Sequence, residues 1–301
     1  MSRVFVVGVG RSGTSLLQSI IASHPGVVAI PETGFLRRFV YMAGNHPVNF
    51  GDDKNLQRCP GMLEELRNID NRQATSQLLK AYKRFTHTDA GTLVLDKDPR
   101  LIECVPLLQR DFPDTKIINI YRDPRDVIAS KKMASWSSGR SLLNYLVSSR
   151  VQLGDARKAD KMKWQHSIKY EDLISEPEKH IKQICTFLEL EYTSDMLDHT
   201  KAAKQLVQED EVNWKKETLK PINQSNTSKW LASLTPLEAL CSFYNDRQFI
   251  KNHGYSSVVP NVTIKEKFLA LVIVSMSITT SLVYKVIRSY KFWKVRKRSG
   301  L

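Results

Sequence analysis

The stretch that most limits what this chain can fold into comes first. An apolar, β-branched run, Val4-Phe5-Val6-Val7, enters Gly8-Val-Gly-Arg-Ser-Gly-Thr-Ser15, and that loop enters a segment with Leu16, Leu17, Ile20 and Ile21 at helical spacing. A run without polar alternation reads as a strand buried on both faces. His24-Pro25-Gly26 stops the helix, and residues 27–30 read as a second strand. Strand, glycine loop, helix and strand together make one βαβ unit.

The pattern repeats downstream. Strands are expected at 92–95, 116–121 and 167–170, and helices at 62–85, 101–110, 142–158, 178–188 and 236–251, with a further helix following Arg122-Asp123-Pro124 and running through Ser130. Residues 43–60 read as loop, and 201–229 as a polar, irregular cover. Alternating strands and helices predict a three-layer α/β sandwich around a central, mostly parallel sheet. Ligands in such sheets bind beyond the carboxyl ends of the strands. Three polar segments fall there: Gly8 to Ser15, Asp96 to Pro99 and Arg122 to Ser130.

The first loop suits a phosphate or sulfate group. Its glycines let the backbone wrap an anion, and the helix N-terminus supplies free N–H groups. Ser12, Thr14 and Ser15 add hydroxyls, and Arg11 adds a bidentate cation. Gly8 and Gly13 have the spacing of the nucleotide loop G-x-x-x-x-G-K-[ST], but Thr14 stands where that loop has lysine. This disfavours ATP or GTP hydrolysis. A dinucleotide loop stays open on spacing, with Glu32 near the place of its acidic ribose partner. The polar Arg-Ser-Gly-Thr-Ser run fits a terminal phosphate better than a pyrophosphate. Arg122 at a strand end and Ser130 two turns into the next helix offer a second phosphate site, as a nucleotide with a 3′-phosphate needs.

These blocks together resemble the PAPS (3′-phosphoadenosine 5′-phosphosulfate)-dependent sulfotransferase superfamily. Arg11-Ser-Gly-Thr-Ser15 resembles its 5′-phosphosulfate loop, and Arg122 with Ser130 its 3′-phosphate site. The tyrosylprotein sulfotransferase-like branch is nearer still. Pro31-Glu32-Thr33 follows the loop at that branch's spacing, and Asp96-Lys97-Asp98-Pro99 resembles its Asn-Lys-Asp-Pro. Lys169-Tyr-Glu-Asp-Leu173 and Lys220-Pro-Ile-Asn223 with Ser228-Lys-Trp230 resemble its later segments. The similarity spans residues 3–255. It implies the sulfotransferase fold, PAPS as co-substrate, 3′,5′-ADP as product and no metal. It implies Glu32 as general base, with His24 as the competing candidate, and Lys97 and Arg11 as stabilisers of the transferred and leaving groups. It implies Arg11, Ser12, Gly13, Thr14 and Ser15 around the 5′-phosphate, and Arg122, Ser130, Tyr170 and Lys220 around the 3′-phosphate and adenosine. The acceptor is a hydroxyl group: tyrosine, glycan, lipid or small alcohol. The sequence departs from the branch in three places. Asp96 replaces Asn, Gly34 replaces an arginine beyond the glutamate, and Trp214 lies near an expected serine. All three bear on the acceptor and leaving-group side.

The formal charge of +14 calls for an anionic partner. Seven basic residues, Lys285, Arg288, Lys291, Lys294, Arg296, Lys297 and Arg298, crowd the tail without an acid among them. No motif points to nucleic acid. Phe268 to Tyr284 is an uncharged seventeen-residue run at the lower limit for a transmembrane helix, followed by aromatic and basic residues of interfacial type. Membrane association through this single C-terminal segment is expected, on an undetermined side. An in-plane anchor would reconcile the basic tail with a catalytic domain lacking a visible signal peptide. The expected division is 1–257 catalytic domain, 258–267 linker, 268–287 hydrophobic membrane segment and 288–301 basic tail. Cys59, Cys104, Cys185 and Cys241 are scattered and read as buried free thiols rather than a zinc site. A homodimer stays open. The alternatives are a non-catalytic, membrane-associated nucleotide-binding protein on the same fold, or a P-loop-like nucleotide kinase.

Overall fold

The computed structural model describes residues 3–42, 49–69, 75–88, 91–137, 139–162 and 164–298. In chain order the elements that position the site are β1 (Arg3–Gly8), α1 (Thr14–Ala22), β2 (Val27–Ala29), α2 (Thr75–Phe85), β3 (Leu93–Lys97), β4 (Lys116–Tyr121), α3 (Pro124–Met133), α4 (Leu142–Ala159), β5 (Gln165–Lys169), α5 (Tyr170–Ser175), α6 (Pro177–Leu188), α7 (Pro236–Asn252) and α8 (Ile264–Arg298). The five strands form one sheet in the order β2-β3-β1-β4-β5, and every pairing is parallel. Parallel neighbours need long crossovers, and the helices supply them.

β1 is central because it is apolar on both sides. Val4 and Val6 join Leu17, Ile20, Ile21 and Ile184 on one face, while Phe5 and Val7 join Phe35, Leu36, Leu101 and Ile117 on the other. Each such side chain, fully buried, contributes about 1.5–3 kcal/mol. The three-layer expectation holds. The four cysteines are free and buried, as expected.

Some boundaries differ. The helix expected over 62–85 is two pieces, Pro60–Arg67 and Thr75–Phe85; residues 70–74 lie outside the described residues, as do 43–48 of the expected loop. Leu36–Tyr41, unforeseen, is a wide helical turn in which the Met42 N–H bonds the Arg37 carbonyl at 2.8 Å. Tyr170 opens a helix instead of ending a strand. The cover at 201–229 contains short helices, among them Thr200–Leu206 and Val212–Lys215. α8 runs unbroken through much of the expected linker, the hydrophobic segment and most of the basic tail. It packs on α4 and α7.

Candidate active site

The loop after β1 turns sharply. Gly8 has φ +153, and a Cβ there would sit 2.3 Å from the Ile120 carbonyl oxygen of β4. Gly13 caps α1 at φ +94, where a Cβ would fall 2.4 Å from the Tyr170 ring. Only glycine meets both demands. Arg11, between them, takes φ 78 without that freedom. A non-glycine residue held there is strained, which is common at binding sites.

That loop and the start of α3 open into one cavity of about 440 Å³, lined among others by Arg11, Gly13, Thr14, Ser15, Arg122, Ser130 and Tyr170. Arg11 Nε donates to Ser130 Oγ at 3.0 Å, tying the two phosphate-suited segments across 119 residues. The Arg122 guanidinium stacks on the Tyr170 ring at 4.5 Å. Burial lowers the Arg11 pKa, and the neighbouring Arg122 adds to this while Glu32 opposes it.

Glu32 and Lys97 stand at its edge. β3 ends on Lys97, whose Nζ donates to Glu32 and, at 3.3 Å, to Ser15 Oγ. Lys215 Nζ reaches the same Glu32 oxygen at 3.3 Å and Glu211 at 2.9 Å. Burial alone would raise the Glu32 pKa, but the two ammoniums overcome it and hold the carboxyl at about 2. Burial lowers the pKa of Lys97, partly countered by Glu32. His24 is engaged elsewhere: Nδ1 accepts from the Gly26 N–H, and Nε2 pairs with the Glu191 carbonyl at 2.8 Å.

The cover segment closes the cavity. Arg11 donates to the Trp214 carbonyl at 2.6 Å, and Arg122 donates to the Asn226 carbonyl. Asp126 receives the Ser228 and Trp230 N–H groups at 2.8 and 2.9 Å, pinning the segment to α3. Lys220 lies outside the cavity lining, with its side chain 60% exposed and paired with Glu217. Sequence reasoning missed Lys215 and Asp126. Lys215 was hidden in a basic pair within an irregular stretch. The signal for Asp126 was its position one helical turn after Arg122.

Among the described residues, two buried polar atoms in this region, Ser12 Oγ and Arg122 Nε, have no hydrogen-bond partner. A buried unpaired donor costs about 1–3 kcal/mol. Their placement beside both phosphate-suited segments fits a bis-phosphorylated nucleotide.

The comparisons decide the family. The sulfotransferase family signature matches residues 3–194. The chain belongs to the sulfotransferase family. It is 22% identical over 276 residues to protein-tyrosine sulfotransferase A of Caenorhabditis elegans, covering 84% of this chain and 67% of that one. It is 26% identical over 260 residues to protein-tyrosine sulfotransferase 1 of Danio rerio, covering 79% and 68%. In structure it is similar to the sulfotransferase domain of the Synechococcus PCC 7002 olefin synthase, at TM-score 0.63 and 20% identity, covering 86% of this chain and 96% of that one. The sulfotransferase domain of the curacin biosynthetic pathway is similar at TM-score 0.60 and 19% identity, covering 86% and 99%. This sulfotransferase is a transferase enzyme, one that moves a sulfuryl group.

Proposed function

We propose that the cavity holds the donor nucleotide and that Glu32, Lys97 and Arg11 carry the transfer to a hydroxyl acceptor. The observation that carries this reading is the meeting of Arg11, Thr14, Ser15, Arg122, Ser130 and Tyr170 around one cavity, with the Glu32–Lys97 pair at its edge. Arg11, Ser12, Gly13, Thr14 and Ser15 hold the 5′-phosphate. Arg122, Ser130 and Tyr170 hold the 3′-phosphate and the nucleoside. Lys220 reaches it only by a movement of the cover segment.

Glu32 takes the acceptor's proton as the acceptor oxygen bonds to sulfur and the bond from sulfur to the 5′-phosphate oxygen breaks. Lys97 and Arg11 neutralise the charge on the leaving phosphate. A carboxyl held at about 2 is fully ionised but a weak base. Lys97 resolves this by exchanging partners. When its ammonium turns to the sulfuryl oxygens, Glu32 regains basicity at the moment the proton leaves.

The named tyrosine sulfotransferases support a phenolic acceptor. Gly34 and Asp98 flank the acceptor side. A Cβ at Gly34 would press on the Arg37 and Arg38 side chains at 3.1 Å, so those two arginines fill the space beside it. We further propose that the catalytic body ends near residue 257 and that α8 associates with a membrane. Its Ile264–Lys294 portion is long and apolar enough to cross one by length and composition.

Calorimetric titration with 3′,5′-ADP tests the donor site. Metal-independent binding that weakens at least tenfold in Arg122→Ala, with 5′-AMP binding little changed, is expected. Preference for ATP or NAD, or equal loss of both mononucleotides, would overturn the assignment.

A further inference from the structure

α8 does not hang free of the catalytic body. Ala270, Val274, Ser277 and Ser281 are buried along one stripe. Ser277 donates to Asn245 at 2.9 Å, the Tyr284 hydroxyl donates to Glu103 at 2.8 Å, and Arg288 donates to Asp155 at 3.0 Å. From Ala270 to Arg288 these contacts extend over about 27 Å of helix, against about 30 Å for a bilayer's hydrocarbon core. A helix crossing the bilayer with these contacts intact would drag charged residues of α4 and α7 into hydrocarbon, where such groups are costly.

The opposite side of α8 is apolar. Phe268, Leu271, Leu282, Val286, Tyr290 and Trp293 are each more than half exposed. Where α4, α7 and α8 meet, beside this face, lies a second cavity of about 480 Å³. Arg150, Arg157, Arg247, Lys251 and Lys285 surround it, with Asp246 as the acid in its lining. Arg150 donates to the Asn245 carbonyl at 2.7 Å and Arg157 to Gln248 at 3.2 Å. Among the described residues none of the five forms an ion pair with a carboxylate. Asp246 is buried and spends an oxygen on the Ser149 hydroxyl at 2.8 Å.

We propose that this basin is a binding site for the phosphate-bearing headgroup of an anionic phospholipid, and that α8 lies in the plane of one leaflet with its apolar side toward the acyl chains. The inference rests on the reading of α8 as the membrane-associating element and is independent of the catalytic assignment. A helix with apolar residues outward and a cation basin beside them matches the surface of an acidic bilayer in both hydrophobicity and charge. The helical tail extends the same match through Lys291, Lys294 and Lys297.

The test uses the full chain and sedimentation with vesicles of phosphatidylcholine alone or with 30% phosphatidylserine. Strong binding to the serine-containing vesicles and weak binding to the others is expected, with release by alkaline carbonate. Arg247→Glu with Lys251→Glu, both at exposed positions, should weaken binding to acidic vesicles on the order of 25-fold. Val286→Asp should weaken binding to both vesicle types. Nucleotide binding should survive in each variant, which reports folding. Inorganic phosphate at millimolar concentration should not displace the protein; displacement would assign the basin to a free anion and overturn the lipid site. Carbonate-resistant binding would overturn the in-plane arrangement while keeping the membrane reading. Absence of binding to any vesicle, with self-association in solution, would overturn both and make a second copy the occupant of the apolar face.

Discussion

Asp96→Asn should stabilise the protein, and the gain should grow with pH. Asp96 lies on β3 one residue before Lys97, is buried, and accepts the Tyr82 hydroxyl at 2.6 Å. Burial raises its pKa from 3.8 to about 7; the Tyr82 bond works against that and the nearby Asp98 adds to it. The folded protein thus keeps a proton that the unfolded chain releases. Stability is undiminished by this group below about pH 4 and falls as pH rises toward 7, the reverse of a salt-bridged carboxylate. Three pH units correspond to about 4 kcal/mol above pH 7. Somewhat under half of this, on the order of 2 kcal/mol, is already present at pH 5. An asparagine oxygen can still accept from Tyr82 and carries no charge to bury. Asp96→Asn should therefore raise the unfolding free energy by about 2–3 kcal/mol more at pH 8.5 than at pH 5. Equilibrium urea unfolding of both proteins at the two pH values measures this. A pH-independent difference, or a larger gain at pH 5, would refute the reasoning.

Glu32→Gln should lower turnover by about 10²–10⁴-fold while leaving 3′,5′-ADP affinity within a few-fold, read by a sulfation assay and calorimetry on the same preparation. Lys215→Met removes one of two ammoniums holding Glu32 at about 2, so the acid limb of the kcat/KM profile should move up toward the ordinary carboxylate range; an unmoved limb would deny Lys215 that influence. Gly13→Ala would force a Cβ against the Tyr170 ring at a positive φ, and should cost more than about 1 kcal/mol of stability together with nucleotide affinity, both visible as a lowered Tm and a lost ligand-induced shift. Asp126→Asn can keep at most one of the two backbone bonds to the cover segment, because its amide has a single acceptor oxygen; faster proteolysis within 209–229, suppressed by 3′,5′-ADP, is the expected readout.

Local chemistry made much of this legible. Val4 to Val7 read as a strand buried on both faces, and Gly8 and Gly13 as a tight turn after it; the structure has both. Arg122 and Ser130 were readable because they are fixed by one helix and its preceding strand. What escaped reading depends on long-range packing. Lys215 meets Glu32 across 183 residues, and nothing within its own short helix marks it out. Tyr170 looked like the end of a strand, yet its ring has to turn under Gly13, and a helix start provides that direction. The seventeen-residue apolar run was visible, but its docking was not. Nothing within the run marks Ala270, Ser277 and Ser281 as the close-packed seam that they form against α4 and α7.

The carbonyls of Trp214 and Asn226 each take one N–H group, on the Arg11 and the Arg122 guanidinium respectively. On the proposed reading, a phosphate bonding those two groups replaces an existing acceptor there. Two consequences follow for the catalytic cycle. At those two N–H groups the gain is the difference between phosphate and carbonyl as acceptors, while Arg122 Nε remains open to a new partner. Departure of the spent nucleotide is likewise an exchange: each guanidinium passes to a waiting backbone oxygen, and neither cation is left stranded in a buried cavity. The cover segment thus acts as a placeholder ligand, and shortening it should trap product.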